Sequence, residues 1–356
     1  MQPRKPRAPW WRPDRYQPRL DDLRARSRMQ RALRDFFDAM DFLEVDTPAL
    51  QVSPGLEPHL QAFGTELRGP HPDDRRPVFL HTSPEFAMKK LLVAGLPRIY
   101  QLSHVFRNAE RSSTHHPEFS MLEWYRAGEG YEALIEDCRG LLRATLRASG
   151  HDRFRRGGLE ADPFAPWQVL TVAEAFETYA GIDLMATAPD PHAPDVALLD
   201  RQSSAIGIPA REGDRWDDLF FRIFLERIEP LLGIGAPTVL KDYPISMAAL
   251  SRPKPEDGRL AERFELYVCG LELANAFGEL TEPEVQRTRF VADMDLKERL
   301  YGLRYPIDED FLAALDHGLP ESAGIALGFD RLVMLATGNA DIEDVIWVPV
   351  AAPVVD

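Results

Sequence analysis

The sequence predicts an α+β fold in which helices cover one antiparallel sheet. Two segments rich in strand-forming residues, Ile99–Phe106 and Phe119–Tyr125, flank a long polar loop and predict an antiparallel hairpin. Two further segments, Arg263–Val268 and Leu271–Ala274, are separated by a Cys-Gly pair, which predicts a second hairpin with a tight turn. Helical patterns lie between and around these hairpins, and no parallel dinucleotide-binding sheet is expected.

The composition narrows the class of protein. The chain has 356 residues, of which 44% are hydrophobic and 28% charged, as in a soluble globular protein. A formal net charge of −15 argues against nucleic acid as the main partner, because a large nucleic-acid footprint needs a basic surface. No apolar stretch approaches the roughly 20 residues of a membrane helix, and no secretory signal is recognisable. Two distant cysteines, Cys138 and Cys269, indicate a reducing, cytoplasmic compartment.

The N-terminal region differs from the rest of the chain. Residues 1–19 contain five prolines, five arginines and one lysine but a single aspartate, which predicts a basic, flexible arm. Residues 20–356 are expected to form one domain. It begins with a helix over Leu20–Met40 and a short strand over Phe42–Val45 that stops before Pro48. Two interpretations of this pair stay open, a part of the core or a dimer-forming element.

The remaining elements follow from periodicity and turn residues. Val78–Thr82 predicts a strand, and the next helix begins near Glu85, whose carboxylate either stabilises the first helical turn or points into a pocket. Helices are predicted over Gly130–Ser149, Thr171–Tyr179, Trp216–Leu232 and Pro283–Leu300, and loops over Asp152–Trp167 and Asp183–Asp214.

The loop of the first hairpin carries groups that suit a nucleotide. The planar guanidinium of Arg107 suits a phosphate, and the ring of Phe119 suits the face of a base. His115, His116, Glu110 and Glu118 lie in the same loop. The alternative is a charged, solvated hairpin tip without a ligand.

The second hairpin brings two carboxylates together. If Cys269 and Gly270 form the turn, Tyr267 pairs with Glu272, and Glu265 becomes a diagonal neighbour of Glu272 at roughly 7–8 Å between Cα atoms. Like charges at this separation need a cation, for which Mg²⁺ bridged to phosphates is one candidate and Arg263 the other. By strict alternation Asn275 lies on the opposite face, so a bulge near residues 274–276 is required to bring it into the same site.

A third segment predicts an anion site. The glycine-containing strand over residues 323–328 leads into a helix with Asp330 near its start and Arg331 in its first turn. Glycine permits close approach of a ligand to the backbone, and Arg331 adds charge to the positive end of the helix.

These three regions occur in a familiar order. The helix and strand before Pro48, the hairpin with Arg107 and the strand–helix with Arg331 resemble motifs one, two and three of class II aminoacyl-tRNA synthetases. The resemblance runs from about Leu20 to about Val348 and is strongest to the lysyl branch. The matching strings are Thr-Ser-Pro-Glu (82–85), His-Pro-Glu-Phe-Ser-Met-Leu-Glu-Trp-Tyr (116–125), Arg-Phe-Glu-Leu-Tyr (263–267), Leu-Glu-Leu-Ala-Asn-Ala-Phe-Gly-Glu-Leu (271–280) and Ala-Leu-Gly-Phe-Asp-Arg-Leu-Val-Met-Leu (326–335).

Two features separate the chain from a lysyl-tRNA synthetase. The resemblance begins almost at the N-terminus, so the anticodon-reading domain of that family is expected to be absent. Ala326 stands where lysyl-tRNA synthetases carry a glycine. Both features are similar to the elongation factor P (R)-β-lysine ligases, which activate the amino acid with ATP and transfer it to a lysine side chain of elongation factor P.

The resemblance implies an ATP-dependent, cytoplasmic, homodimeric ligase that uses Mg²⁺ and either lysine or (R)-β-lysine, with tRNA an unlikely acceptor. The alternatives are a shortened lysyl-tRNA synthetase and a catalytically silent regulatory paralogue.

The resemblance also implies a role for each matched residue. Arg107 would hold the α-phosphate, Arg331 would hold the γ-phosphate, and both would be catalytic. Phe119 would stack on adenine. The ATP site is expected to contain Arg107, Asn108, Glu110, His116, Phe119, Glu272, Leu273, Gly328 and Arg331. The amino-acid pocket is expected to contain Ser83, Pro84, Glu85, Tyr125, Asn275, Glu279 and Ala326, and the metal ligands would be Glu265 and Glu272.

Three positions depart from the family pattern. Ala109 replaces the carboxylate expected to contact adenine, and Glu110 could substitute for it after a shift of the loop. His116 stands where asparagine is usual, and Ala276 replaces a glycine. The arginines and the expected metal ligands are all present, so we expect an active enzyme.

Overall fold

The structure is a computed structural model that describes residues 9–71, 73–191 and 193–350. Eight of its strands form one large sheet, which is flanked by helices. The strands are β1 (Leu43–Glu44), β2 (Leu50–Gln51), β3 (Phe63–Arg68), β4 (Arg75–Leu80), β5 (Arg98–Phe106), β6 (Glu118–Ala127), β7 (Phe154–Arg156), β8 (Leu159–Ala161), β9 (Gln168–Thr171), β10 (Thr238–Pro244), β11 (Leu260–Val268), β12 (Leu271–Gly278) and β13 (Ser322–Gly328). The α-helices are α1 (Pro13–Tyr16), α2 (Leu20–Asp38), α3 (Glu85–Val93), α4 (Tyr131–Ser149), α5 (Val172–Ala180), α6 (Val196–Ser204), α7 (Trp216–Ile223), α8 (Pro283–Tyr301), α9 (Glu309–Gly318) and α10 (Phe329–Thr337).

The large sheet has eight strands in the order β1-β5-β6-β13-β12-β11-β10-β9. Its central pairings are antiparallel, and only the two outermost strands, β1 and β9, pair with their neighbours in parallel. The predicted antiparallel sheet flanked by helices is therefore confirmed, with a parallel strand added at each edge. A separate three-stranded sheet, β2-β4-β3, lies next to it.

Alternation along the strands separates a core face from an open face. Side chains such as Leu122, Trp124 and Leu327 point to one face, where they pack in a core that also contains residues of α2, α4 and α10. A second core forms around α5, α6 and α7, and a third around α3, α8 and α9. The residues that alternate with the main core line the opposite face of the sheet, which faces the candidate site.

The segment between β6 and β10 differs most from the predictions. The predicted loop at 152–167 contains the β7–β8 hairpin, turned by Gly157 and Gly158, which both have positive φ. The region 183–214 contains α6, capped by Asp195, whose side chain accepts the N–H of Leu198. The predicted helix over 216–232 is α-helical only to Ile223, then continues as a π-helical turn and a 3₁₀ turn.

The N-terminal arm is described only from residue 9 onwards. Its first eight residues lie outside the described residues, so the prediction of flexibility is not tested there. Residues 13–19 are helical and lead directly into α2. The Arg19 guanidinium donates hydrogen bonds to the carbonyls of Glu343 and Asp344, which attaches this part of the arm to the domain. The boundary at residue 20 stays a prediction.

Among the described residues, no helix has the length and apolar character required to cross a membrane.

Candidate active site

The site is built from rows of side chains that cross the open face of the sheet. Glu123 on β6 lies opposite Ala326 on β13, which lies opposite Asn275 on β12, which in turn lies opposite Glu265 on β11. Because these residues are directly paired across four strands, they share one face. The next row on the same face contains Tyr125, Gly324, Phe277 and Arg263.

A β-bulge brings Glu272 and Asn275 to the same face. The pairs Val268–Leu271 and Tyr267–Glu272 are present as predicted, but Leu266 pairs with Ala274, so Leu273 is an extra residue. The extra residue reverses the alternation of β12 at this point. The bulge that Asn275 required is therefore present, one residue before the expected stretch.

One cavity of about 1000 Å³ covers this face. It is large enough for a nucleotide together with a small substrate, since ligand pockets usually span about 300–1000 Å³. The residues of the predicted site that line it are Ser83, Glu85, Arg107, Glu110, His116, Phe119, Glu272, Leu273, Asn275, Ala326, Gly328 and Arg331.

Five of the predicted residues do not line this cavity. Tyr125, Glu265 and Glu279 are buried and form its supporting layer. Pro84 is also buried and borders a separate cavity of about 10 Å³. Asn108 is exposed in the hairpin loop, so its expected contact with ATP has no support in this arrangement.

We call the first part of the cavity the basic end, defined by Arg107, His115 and Arg331. Arg331 donates hydrogen bonds to the carbonyl of Glu272 (2.8 Å), to Nε2 of His115 (2.9 Å) and to the carbonyl of Thr114 (3.3 Å). These contacts fix the guanidinium in one position. Burial, then Arg331 and Arg107, lower the pKa of His115 to about 4, so this imidazole is neutral and accepts from Arg331.

Arg107 is held at the mouth of the first hairpin. Its backbone N–H donates to the carbonyl of Pro117 (2.9 Å), and its guanidinium lies over the ring of Phe119, 5.3 Å from the ring centre. Both side chains border the cavity. Arginine and aromatic groups are thus presented together, as binding of a phosphate and a base requires.

The loop beyond Arg107 shows how the chain accommodates its departures from the family pattern. Ala109 is exposed and has φ 62°, a left-handed conformation that is uncommon outside glycine. The following residue, Glu110, lines the cavity, and its substitution for the missing carboxylate stays a prediction. His116 is buried, and its Nδ1 atom bonds the carbonyl of Glu118 (2.5 Å).

Glu265 has several partners within the protein. Arg263 donates to its Oε1 atom (2.6 Å), while the hydroxyls of Tyr243 and Tyr267 both donate to Oε2 (2.5 Å each). The arginine alternative considered for the carboxylate pair is therefore present at Glu265. Arg263 also donates to the Oδ1 atom of Asn275 (3.2 Å), which links the two strands.

Glu272 is the more available carboxylate of the pair. Its side chain is 39% accessible and lines the cavity, and its carboxylate lies 3.8 Å from Arg331. Burial, followed by the charge of Glu265, raises the pKa of Glu272 to about 7. Burial, followed by the charge of Glu265, also raises the pKa of Glu229, a residue that does not line the cavity, while Arg331 opposes the shift.

The protein side chains fit a magnesium ion only if a bound ligand supplies the remaining coordinating oxygens. Among the described residues no group of three or more His, Cys, Asp or Glu side chains is placed to hold a metal. Of the two predicted ligands, Glu272 lines the cavity, whereas Glu265 is buried behind it and already bonded by Arg263 and two tyrosines. Mg²⁺ is commonly held by one or two carboxylates with water and substrate phosphates. The residues therefore fit Mg²⁺ bound together with a nucleotide.

We call the second part of the cavity the acidic end; Glu85 lines the cavity there, and Glu123, Glu279 and Lys89 are buried directly behind it. Lys89 is almost inaccessible, and its ammonium lies 2.5 Å from a Glu85 oxygen and 2.6 Å from a Glu279 oxygen. Burial raises the pKa of Glu279 to about 7, although Lys89 opposes the shift. Lys89 was missed because a lysine on a helix usually lies in solvent.

Glu123 is a second residue that sequence reasoning missed. Its carboxylate accepts hydrogen bonds from the hydroxyls of Ser83 (2.5 Å) and Tyr125 (3.0 Å). Burial, then Glu85, raises the pKa of Glu123 to about 8. Gly324 makes this packing possible, since a Cβ atom there would lie 2.2 Å from the ring of Tyr125.

The residue before Arg331 has a different task. Asp330 is buried, pairs with Arg26 of α2 and accepts the backbone N–H of Ser120 (2.7 Å). It does not cap α10, whose N-cap is Gly328. This network joins α2, the first hairpin and α10, and so holds Arg331 beside the sheet.

Comparison with known proteins agrees with this architecture. Residues 14–352 match the family described as tRNA synthetases class II (D, K and N), and the chain belongs to this family. Such a fold implies an ATP-dependent ligase.

Particular relatives narrow the class further. The chain is 39% identical over 333 residues to the elongation factor P–(R)-β-lysine ligase of Vibrio cholerae, a match that covers 93% of this chain and 95% of the relative. It is 38% identical to the ligase of the same name from Histophilus somni, over 92% of this chain and 94% of the relative. It is also 35% identical to the lysine–tRNA ligase of Pelotomaculum thermopropionicum, over 92% of this chain and 63% of that relative.

Proposed function

We propose that the protein activates (R)-β-lysine, or lysine, with ATP and transfers it to a lysine side chain of elongation factor P. The observation that carries the proposal is one cavity with a basic end and an acidic end on the same sheet face. Phosphates suit the first, and a substrate with two ammonium groups suits the second. Relatives that match over nearly their whole length carry this function in their names.

The first half-reaction needs no nucleophile from the protein. The substrate carboxylate attacks the α-phosphorus of ATP, pyrophosphate leaves, and an aminoacyl-adenylate forms. Arg107 and Arg331 would orient the phosphates and stabilise the charge that develops on them. Glu265 and Glu272 would hold Mg²⁺, which supplies further charge neutralisation when bound.

The acidic end would bind the amino acid. Glu85, Glu123 and Glu279 supply three carboxyl groups against the single cation of Lys89. A substrate ammonium would favour their ionised forms, because an opposite charge lowers a raised carboxyl pKa. Asn275 and Ala326 lie between the two ends in the row across the sheet.

The assembly is proposed to be a cytoplasmic homodimer. The first strand and the small sheet expose apolar side chains, each about half accessible, at Leu43, Leu50, Val52 and Leu67. Such a surface is suited to a second copy of the chain. Sedimentation of the purified protein would report the oligomeric state directly.

ATP–pyrophosphate exchange tests the proposed substrate. We expect exchange with (R)-β-lysine or α-lysine and none above background with glutamate, because an acidic pocket rejects an acidic side chain. The absence of exchange with both lysine isomers, in protein that binds ATP, would contradict the proposal.

A further inference from the structure

The cavity extends beyond both ends already described. It continues past Arg107 and Glu85 to a third wall, made by the 57–60 loop and one side of α8. This wall does not belong to the rows across the sheet. Its members are Glu57, Pro58, His59, Leu60, Ala292, Asp293, Leu296 and Arg299.

The third wall is fixed in place. The Lys297 ammonium on α8 donates to the carbonyl of Leu60, which ties the loop to the helix. On the other side, the N–H of Asn108 donates to the carbonyl of Gln61 (2.7 Å), which ties the loop to the residue after Arg107. The loop therefore spans from α8 to the basic end in a defined position.

Two carboxyl groups in this wall bond no other residue in the described part of the chain, although Glu57 has a hydrogen bond to its own backbone. The Oε2 atom of Glu57 is buried and accepts no hydrogen bond from the described part of the chain. Asp293 forms neither a hydrogen bond nor an ion pair with any described residue. Both residues are partly accessible and line the cavity, and carboxyl groups that lack a cationic partner in a ligand cavity point to a cationic ligand.

The surroundings favour uptake of a proton by these acids. Burial, then Glu57, raises the pKa of Asp293 to about 7, while Arg289 and Lys297 on the same helix oppose the shift. Burial, then Glu85, raises the pKa of Glu57, against Arg107 and Lys297. His59 and Arg299 are the other charged or titratable groups of this wall.

We propose that Glu57 and Asp293 form the entry site for the acceptor lysine, binding its ammonium group and receiving its proton before transfer. The inference rests on the proposed function and concerns its second half-reaction. Activation uses the basic and acidic ends, whereas the acceptor must approach the adenylate from a third direction. The wall between α8 and Arg107 supplies that direction together with carboxyl groups suited to an ammonium ion.

The transfer step begins when the ammonium of the acceptor lysine gives one proton to the Glu57–Asp293 pair. The resulting amine attacks the carbonyl carbon of the aminoacyl-adenylate. A carbon–nitrogen bond forms, and the bond between that carbon and the phosphate oxygen breaks. AMP leaves with the electron pair, the second proton lost by the nitrogen passes to the leaving phosphate or to water, and an amide remains.

The test separates the two half-reactions in Asp293→Asn. Adenylate formation is followed by ATP–pyrophosphate exchange, and transfer by single-turnover modification of elongation factor P from preformed adenylate. We expect the ratio of transfer to adenylate formation to fall about 100-fold, as for loss of a proton acceptor. Glu57→Gln should lower the same ratio. Asp295→Asn, an exposed acid on the same helix paired with Arg304, is the matched control and should keep the wild-type ratio.

The pH profile excludes a purely structural role. Wild-type transfer should rise as the pH passes about 7, because the carboxylate form accepts the proton, and this limb should be missing in Asp293→Asn. The inference would be overturned if Asp293→Asn kept the wild-type ratio of transfer to adenylate formation and the wild-type pH dependence. Equal losses of both steps, through misfolding or weak amino-acid binding, leave that ratio unchanged and count as the same result. Failure of the wild-type enzyme to modify elongation factor P would instead contradict the proposed function.

Discussion

The two ends of the cavity respond to burial in opposite ways. At the basic end, burial and then the charges of two arginines keep His115 neutral, and the nearest carboxylate to Arg331 is that of Glu272, at 3.8 Å. At the acidic end, burial raises the pKa of Glu123 and Glu279 far above the ordinary value for a carboxylic acid, even though Lys89 lies between Glu85 and Glu279. Each end therefore shows which charge its ligand must bring, an anion at the first and a cation at the second.

Removing a carboxylate at the basic end should have the largest effect. Glu272→Gln should lower pyrophosphate exchange by a factor on the order of 100 or more, because it removes the carboxylate of the pair that lines the cavity and would bind Mg²⁺ at the phosphates. Glu321→Gln, at a side chain that is 84% accessible, is the control and should leave exchange unchanged. Near-normal exchange in Glu272→Gln would refute the carboxylate pair as a metal site.

Removing the Lys89 ammonium should destabilise the acidic end, because its carboxylates lose their countercharge. Lys89→Met leaves Glu85 and Glu279 buried together without a countercharge, which should cost about 3–5 kcal/mol in the free energy of unfolding. Lys90→Met, next to it in sequence but partly exposed, should cost about 1 kcal/mol. Denaturant titrations measure both values. Equal losses of unfolding free energy in the two variants would mean that the ion pairs of Lys89 contribute no more than an ordinary surface ion pair.

Ala326 lies where the two ends meet, between Glu123 and Asn275. Its methyl group should crowd the α-amino group of ordinary lysine, whereas a β-amino acid carries its amine one carbon further away. Ala326→Gly should therefore improve activation of α-lysine relative to (R)-β-lysine by about 10–200-fold. Exchange kinetics on both isomers, with a melting curve, give the answer. An unchanged isomer ratio with lower stability would mean that the methyl group only fills space.

The smallest expected effect is the pH dependence of amino-acid binding. Glu123, with a pKa of about 8, is mostly protonated at neutral pH without substrate, and only its ionised form attracts an ammonium. The KM for the amino acid should therefore fall about three- to tenfold as the pH rises from about 6.5 to about 8.5. Glu123→Gln should remove this dependence. A KM that rises over the same range in the wild-type enzyme would contradict this role of Glu123.

The sequence predicted the parts of the site that depend on local pattern. The Cys269–Gly270 turn fixed the pairing of Tyr267 with Glu272, and hence the carboxylate pair, without any long-range information. The sequence showed that a bulge was needed to bring Asn275 to the same face as Glu272, but it did not place the extra residue at Leu273. Alternation of side chains alone cannot locate an extra residue. The two glycines at 157 and 158 were a turn signal that would have predicted the β7–β8 hairpin.

The missed residues depend on contacts between distant parts of the chain. Lys89 is recognisable as buried only when α3 packs against Glu279 at the end of β12. Asp293 lies on α8, which reaches the cavity through tertiary packing, and in the sequence this residue has the pattern of a solvated helix charge. Which charges face a cavity is thus a property of the assembled fold.

Intact-mass spectrometry of elongation factor P tests the central claim most directly. After incubation with the enzyme, ATP and (R)-β-lysine, the account predicts a gain of about 128 Da, one lysine less one water, together with uncharged tRNA in a parallel reaction. Robust charging of tRNA with an unmodified elongation factor P would contradict the account and favour a tRNA ligase.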